Sequence, residues 1–192
     1  MGESLHGLVL AAGASTRMGC PKALALLDGE TFVAAVVRRL RAAGCATVTV
    51  VLGAEAARVA PAVPPEARWV VAPDWAAGMR ASLRAGVAAC PPGDLLLTHV
   101  DRPRVAATTL ALLVAAPAGR PVIPTFEGRG GHPVRVPSAL RSRLLEADDA
   151  PLKTLLGDAL RLPVDDPDVR LNINTPEALR ALGGWLPGGG PT

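Results

Sequence analysis

The sequence predicts a three-layer α/β domain with a mainly parallel sheet, and two observations carry this prediction. Apolar segments rich in β-branched residues alternate with segments of helical periodicity along the 192-residue chain. Two of the apolar segments, residues 8–10 and 48–52, are continuous rather than alternating, which is typical of strands buried on both faces. Repeated alternation of strands and helices favours a parallel sheet that is covered by helices on both sides.

The remaining elements follow in order along the chain. Residues 31–43 are predicted to form the first helix because Phe32, Val36 and Leu40 recur at helical spacing, and Gly44 suits the position just past its end. Further strands are predicted at residues 68–71, 95–100, 122–125 and 134–136, and further helices at residues 77–89, 106–115 and 176–182. Residues 61–67 are predicted as a loop, residues 1–185 as one domain and residues 186–192 as a disordered tail.

Composition narrows the classes of partner. Twenty basic and 17 acidic residues give a net charge of +3, which is too balanced for a protein that wraps nucleic acid or binds membranes through basic clusters. Only 3% of residues are aromatic, so platforms for stacking bases are not expected. The longest uncharged stretch, residues 105–119, is shorter than the roughly 20 residues of a membrane helix. Three separated cysteines without a C-x-x-C pair favour a reducing, cytoplasmic compartment.

The most informative segment is the glycine-rich loop LVLAAGASTRMGCPKALALLDG, residues 8–29, which follows the first predicted strand. Its glycines let the backbone approach an anion closely, and Arg17 and Lys22 add full positive charges for phosphate oxygens. The pattern is neither a Walker A loop nor a G-x-G-x-x-G loop. We therefore expect a phosphate-binding loop with two cations; the alternative is an ordinary connecting loop with a surface Arg and Lys.

The segment LAAGASTRMGCPK resembles the signature loop L-A-A-G-x-S-x-R-M-G-x-P-K of the MobA-like nucleotidyltransferases, and among them most closely the molybdenum cofactor cytidylyltransferases. Segments 73–86, 99–103, 128–136 and 172–179 resemble later motifs of the same family in the same order. The resemblance therefore spans nearly the whole chain. It implies a Rossmann-like nucleotidyltransferase fold with a mainly parallel, mixed sheet.

The resemblance also implies how a nucleotide is bound. A nucleoside triphosphate lies along the signature loop, and a phosphate of the second substrate attacks the α-phosphorus and expels pyrophosphate. Lys22, Arg17 and Asp101 are the implied catalytic residues. An Ala-Gly pair at Ala12 is typical of the cytidylyl branch, whereas the guanylyl branch has Gly-Gly, so CTP is favoured over GTP. The implied nucleotide-binding residues are Ala11, Ala12, Gly13, Ser15, Arg17, Gly19, Lys22, Gly78 and Ser82.

Asp101 and Asn174 are the metal ligands that the resemblance implies, and the implied metal is Mg²⁺. Asp101 ends an apolar strand, so it is expected at the carboxyl edge of the sheet. Its alternative role is a turn or helix-capping carboxylate before Pro103. Many relatives have DIDTP where this chain has Asn172 and Asn174, and N-x-N-T-P also resembles the guanylyl branch. Capping of the following helix is therefore an equal alternative for Asn174.

His132, Arg102 and Lys153 are the implied acceptor-binding residues, and the implied acceptor is molybdopterin. His132 could instead be structural, and Arg102 could be a solvated surface charge. The family's usual G-D-x-G-A-R stretch is DDAPLKTLL in this chain. The resemblance therefore defines the identity of the acceptor less well than the binding of the triphosphate. A molybdoenzyme or its chaperone is the implied receiving partner.

Three other readings stay open at this point. The same chemistry could use GTP or a sugar-phosphate acceptor. Some members of the family carry a reductase name for pigment-type substrates, which leaves an oxidoreductase as a second class. The altered Asn172, Asn174 and DDAPLKTLL positions leave a catalytically silent cofactor-binding or delivery protein as a third.

Overall fold

The computed structural model describes residues 4–146 and 150–188. Its strands are β1 Leu5–Ala11, β2 Leu26–Leu27, β3 Glu30–Thr31, β4 Thr47–Leu52, β5 Arg68–Val71, β6 Asp94–His99, β7 Val122–Phe126, β8 Arg129–Gly130, β9 Val134–Val136 and β10 Leu160–Pro163. Its α-helices are α1 Phe32–Ala42, α2 Ala56–Val59, α3 Met79–Ala89, α4 Ala107–Ala115, α5 Arg141–Glu146, α6 Leu152–Leu156 and α7 Pro176–Arg180. Within these ranges, no helix is both long and apolar enough to cross a membrane.

The main sheet has the strand order β10-β7-β9-β6-β1-β4-β5, with β8 added beside β7. β1 pairs in parallel with β4 and β6, β4 with β5, and β7 with β10. β9 runs antiparallel to β6 and β7, and β8 runs antiparallel to β7. The prediction of a mainly parallel, mixed sheet is therefore confirmed, and β1 lies between β6 and β4 in its interior.

Side chains of β1 alternate between two cores, one on each face of the sheet. Val9 packs with Phe32 and Val36 of α1 on one face, while Leu8 packs with Leu83 of α3 on the other. A Cβ at Gly86 of α3 would lie 2.6 Å from side-chain atoms of Leu8 and Val51, so glycine is needed for this helix to approach the sheet. Helices thus cover both faces, which is the predicted three-layer arrangement.

Local signals explain where the longer helices begin and end. Thr31 accepts a hydrogen bond from the Ala34 N–H at 3.4 Å, so α1 begins one residue after this cap. Gly44 has a φ of 99° just beyond α1, as expected of a helix-ending glycine. The helix predicted from residue 77 begins at Met79 because Gly78, at φ 107°, separates it from a short 3₁₀ turn.

The last described segment returns to the glycine-rich loop. The Leu26 N–H donates to the Trp185 carbonyl and the Trp185 N–H donates to the Leu26 carbonyl, both at 2.9 Å. Leu186 also packs against the core. Of the tail predicted at residues 186–192, residues 189–192 lie outside the described ranges.

A buried ion pair between Asp94 and Arg135 lies at the amino end of β6. Arg135 donates to Asp94 through Nε at 3.1 Å and Nη2 at 2.9 Å, and the Ser138 N–H donates to the second Asp94 oxygen at 2.9 Å. Arg135 Nη1 also donates to the Ala116 carbonyl at 2.7 Å, just past the end of α4. The side chains of Asp94 and Arg135 are only 5% and 12% exposed. This network ties β6, β9 and α4 together.

Candidate active site

The candidate site lies at the carboxyl ends of β1 and β6, which are neighbours in the sheet. The glycine-rich loop follows β1, Asp101 follows β6, and Asn174 immediately precedes the cap of α7. In parallel α/β sheets, ligands gather at this edge because the strand ends present loops and polar groups together.

One side of the glycine-rich loop is held by hydrogen bonds and by packing in the core, and the other side is exposed. Ser15 has a left-handed backbone at φ 52°, its carbonyl accepts from the Met18 N–H at 2.8 Å, and its hydroxyl accepts from the Lys22 N–H at 3.1 Å. Met18 is 1% exposed and anchors the loop in the core. Gly13 and Arg17 of the same loop are exposed. The loop therefore presents its backbone and one cation to an open space.

Lys22 connects the three parts of the site. Its ammonium donates to Asp101 Oδ2 at 3.1 Å and to the amide oxygen of Asn174. The Lys22 and Asp101 side chains are 18% and 13% exposed, so this ion pair is largely shielded from water. The fold thus brings Lys22 into contact with Asp101 and Asn174, which lie 79 and 152 positions further along the chain.

The structure does not show the capping roles that were the alternatives for Asp101 and Asn174. Thr175, not Asn174, caps α7 by accepting from the Ala178 N–H at 3.2 Å. At the start of α4, the Ala106 N–H and the Thr109 hydroxyl donate to Asp166 at 2.9 and 2.8 Å. Both Asp101 and Asn174 therefore keep their side-chain oxygens for Lys22. The sequence analysis did not identify Asp166 as a cap.

A first cavity of about 220 Å³ is lined by Lys22. Arg17 lies on its wall together with Lys22, so two cations face the same space. Glu55, which precedes α2, also lines it and pairs with Arg58 at 3.2 Å; the sequence analysis did not single it out. The predicted residues that line this cavity are Ala11, Gly13, Ser15, Arg17, Lys22, Asp101 and Asn174. Gly19 lies outside it and ends the short 3₁₀ turn with φ 71°.

A second cavity of about 350 Å³ adjoins the first at Gly13. It is lined by Ala12, Gly78 and Ser82 among the predicted residues, with Trp75 adding an apolar wall. Ser82 is only 4% exposed, and its hydroxyl makes no hydrogen bond to another described side chain or backbone group. A buried hydroxyl that faces a cavity in this way is available to a ligand.

His99 lines both cavities, a position that the sequence did not reveal. Its ring contacts His132 edge to face, with centroids 4.7 Å apart. Burial lowers the pKa of His99 and lowers that of His132 to about 3. Both rings are therefore neutral at pH 7. The neutral His132 ring donates from Nδ1 to the Leu97 carbonyl at 3.3 Å.

The three predicted acceptor-binding residues do not gather at either cavity. His132 lies behind His99. Arg102 donates to the carbonyls of Val169 and Leu171 at 2.6 and 2.8 Å, which fixes the segment that leads to Asn174. Lys153 is exposed on α6. A role of these residues in acceptor binding stays a prediction.

The oxygens of Asp101 and Asn174 are suited to Mg²⁺. Both contact one cation, the Lys22 ammonium, so they already converge on a single point. Mg²⁺ prefers hard oxygen ligands and commonly takes one or two carboxylates together with substrate phosphates. No group of three or more His, Cys, Asp or Glu side chains is placed to hold a metal within the described residues, so the protein ligands at this site are one carboxylate and one amide oxygen.

The chain is similar in sequence to several characterised proteins. The chain is 36% identical to nicotine blue oxidoreductase of Paenarthrobacter nicotinovorans over 80% of this chain and 77% of that protein. It is 31% identical to molybdenum cofactor guanylyltransferase of Rhizobium meliloti, over 94% and 91% of the two chains. It is 27% identical to molybdenum cofactor cytidylyltransferase of Escherichia coli, over 55% and 56%.

Two solved structures share the fold over nearly the full length. A nucleotidyl transferase from Methanothermobacter thermautotroptrophicus matches with a TM-score of 0.82 and 25% identity, covering 94% of this chain and 96% of that one. The manganese complex of Mycobacterium tuberculosis Rv0371c matches with a TM-score of 0.76 and 28% identity, covering 93% and 97%. Residues 7–164 match the family described as the MobA-like NTP transferase domain. The chain therefore belongs to the MobA-like NTP transferase family.

Proposed function

We propose that this protein is a magnesium-dependent nucleotidyltransferase that transfers CMP from CTP to a phosphorylated acceptor of the molybdopterin type and releases pyrophosphate. One observation carries the proposal. Lys22, Asp101 and Asn174 converge beside a cavity that the glycine-rich loop lines. This arrangement supports a triphosphate site, because it brings one cation and two oxygen ligands to a single cavity.

The chemistry needs charge more than acid or base catalysis. An oxygen of the acceptor phosphate attacks the α-phosphorus, the bond from that phosphorus to the bridging oxygen breaks, and pyrophosphate leaves with the electron pair. Arg17 and Lys22 line the first cavity and bind the negative charge that accumulates on the leaving group. The loop backbone holds the triphosphate in line with the acceptor.

Asp101 and Asn174 are the residues that would hold Mg²⁺. When bound, the metal neutralises phosphate charge and polarises the reacting phosphate. With one carboxylate and one amide among these ligands, the protein supplies a single negative charge, so the nucleotide phosphates must contribute further oxygens. The manganese complex of the Mycobacterium tuberculosis relative supports a divalent cation in this fold.

The second cavity is the proposed base site. Its walls of Trp75 and Ala12 suit a flat ring, and the Ser82 hydroxyl can hydrogen-bond the edge of a base. CTP is proposed on the Ala-Gly pair at Ala12. GTP is the rival, because relatives named for both guanylyl and cytidylyl transfer match this chain.

The test measures pyrophosphate release with each of the four nucleoside triphosphates, Mg²⁺ and molybdopterin. We expect release with CTP, dependent on the acceptor and abolished by EDTA until Mg²⁺ is restored. Release with GTP alone would reassign the base, and release with a sugar phosphate in place of molybdopterin would reassign the acceptor. Binding of molybdopterin without release under any condition would instead indicate a silent carrier protein.

An oxidoreductase is the second candidate, favoured by the 36% identity to nicotine blue oxidoreductase. The apolar wall of the second cavity could also accept a planar pigment. NADH or NADPH oxidation in the presence of a quinoid dye tests this directly. Reduction of the dye without any nucleotidyl transfer would favour this candidate; absence of NADH binding by fluorescence titration would remove it.

A further inference from the structure

We propose that Lys22 is the resident counter-ion of the metal-binding oxygens and that it releases them only to a metal–triphosphate complex. The substrate form that the site accepts is then the metal-bound nucleotide, and free metal binds poorly beforehand. This inference rests on the proposed function, since it assigns the proposed metal and nucleotide to one site.

Lys22 contacts the two side chains that would hold Mg²⁺. Its ammonium donates to Asp101 Oδ2 at 3.1 Å and to the Asn174 amide oxygen. A Mg²⁺ ion held by the same two side chains would lie close to this ammonium. The two cations repel each other at such a distance, so the ammonium and the metal compete for Asp101 and Asn174.

Among the described residues, Lys22 is the cation within ion-pair distance of Asp101. The nearby Arg102 directs one end of its guanidinium to the carbonyls of Val169 and Leu171, and Arg17 makes no ion pair within the part of the chain that the structure describes. A carboxylate that is only 13% exposed is costly to leave unpaired. Lys22 therefore stabilises the site whenever no other cation is present.

A triphosphate is the ligand suited to displace Lys22 from Asp101 and Asn174. A lysine side chain is a compact charge on a flexible stem, and this one lines the same cavity as Ser15 and Arg17. A triphosphate offers the ammonium new acceptor oxygens, while the metal that it carries takes over Asp101 and Asn174. A metal ion alone offers no such exchange, because it would leave the ammonium without an acceptor beside another cation.

Competition of this kind has a simple quantitative form. If Lys22 covers the two oxygens in nine molecules of ten, free metal meets a competent site in only one of ten, and its apparent affinity falls about tenfold. Removal of the ammonium should therefore tighten metal binding to the nucleotide-free protein. The same removal should weaken nucleotide binding, so the two effects have opposite signs.

The experiment measures Mn²⁺ binding to the nucleotide-free protein by electron paramagnetic resonance, comparing wild type with Lys22→Met and Arg17→Met. Both variants remove one positive charge from the first cavity, but only Lys22→Met uncovers Asp101 and Asn174. We expect about tenfold tighter Mn²⁺ binding in Lys22→Met and at most about a twofold change in Arg17→Met, which removes only a screened charge from the cavity wall. Adding Asp101→Asn to Lys22→Met should cancel the gain.

Unchanged or weaker Mn²⁺ binding in Lys22→Met overturns the proposal, as does an equal gain in Arg17→Met, which would reflect cavity charge alone. Circular dichroism checks that each variant is folded, and Lys22→Gln replaces Lys22→Met if the latter is not. Because the measurement uses neither nucleotide nor turnover, its failure is distinct from failure of the transferase proposal, which the pyrophosphate assay decides.

Discussion

The two ends of strand β6 each carry an aspartate paired with a cation, and the two pairs differ in what surrounds them. Asp94 accepts from two nitrogens of Arg135 and from the Ser138 N–H, while the third guanidinium nitrogen is occupied by carbonyls at the end of α4. Asp101 pairs with Lys22, whose other contact is the Asn174 amide, beside an open cavity.

The comparison teaches how to separate a structural ion pair from a functional one. Both aspartates are largely buried, so burial does not distinguish them. The distinction lies in the partners: the Asp94 network connects backbone groups of several elements, whereas the Asp101 network connects only side chains that can exchange partners. We therefore expect changes at Asp94 or Arg135 to affect folding and changes at Asp101 to affect chemistry.

The largest expected effect is on catalysis by Asp101→Ala. Loss of the metal-binding carboxylate should lower kcat/KM by at least about a thousandfold, which corresponds to about 4 kcal/mol of transition-state stabilisation. The free energy of unfolding should change by no more than about 1 kcal/mol, since the Lys22 ammonium keeps its contact with the Asn174 amide oxygen. Steady-state kinetics and urea unfolding check the two parts. Activity within tenfold of wild type would contradict the role of Asp101.

Arg135→Met should have the opposite effect. It leaves Asp94 buried without its cation, which costs on the order of 3–5 kcal/mol of folding free energy. Activity per folded molecule should stay close to that of wild type because the change lies at the far end of β6. Chemical unfolding and an assay normalised to the folded fraction measure both quantities. A loss of stability below about 1 kcal/mol would show that the pair is not structural.

His132→Gln should change the pH dependence of stability. The pKa of His132 falls from 6.5 to about 3 on folding because the ring is buried, so the folded protein resists protonation. Stability from the neutral ring is complete above pH 6.5 and declines by up to about 1.4 kcal/mol per pH unit as the pH falls toward 3. Unfolding curves at pH 7.5, 6.0 and 4.5 should show wild type and variant converging as the pH falls. A constant difference would contradict this.

The smallest effects concern two helix caps. Thr31→Ala and Thr175→Ala each remove a cap and should each cost about 1 kcal/mol of stability. Only Thr175 adjoins Asn174, so only Thr175→Ala should also raise the KM for the metal–nucleotide complex, by a few-fold. Thermal unfolding and kinetics of the matched pair test this. Equal kinetics in both variants would show that the cap does not position Asn174.

Several elements could be predicted because their signals are local. The strands at residues 68–71 and 134–136 match the predicted bounds at both ends, and α1 lies within one residue of its predicted bounds. The hairpin of β2 and β3 was missed because each strand has two residues, too few for a period. β10 was missed because it ends in Pro163 and lies at the edge of the sheet.

The sequence predicted part of the candidate site, but not the contacts within it. The resemblance named Lys22, Asp101 and Asn174, yet no local pattern shows that one ammonium contacts both of the other side chains. Likewise, the sequence predicts Arg102 as an acceptor-binding residue or a solvated charge. Only the fold shows that its guanidinium donates to the Val169 carbonyl. Contacts between distant segments depend on strand order, which periodicity does not encode.

The bridge between Leu26 and Trp185 has a mechanical consequence for the candidate site. Lys22 precedes one end of this bridge and Asn174 precedes the other, while the ammonium–amide contact joins the two segments again. The chain between them is thus closed into a ring that is held at two points. Rotation of either segment away from the site must break one of these contacts, so Leu26 and Trp185 help to hold Asn174 in position although neither lines a cavity.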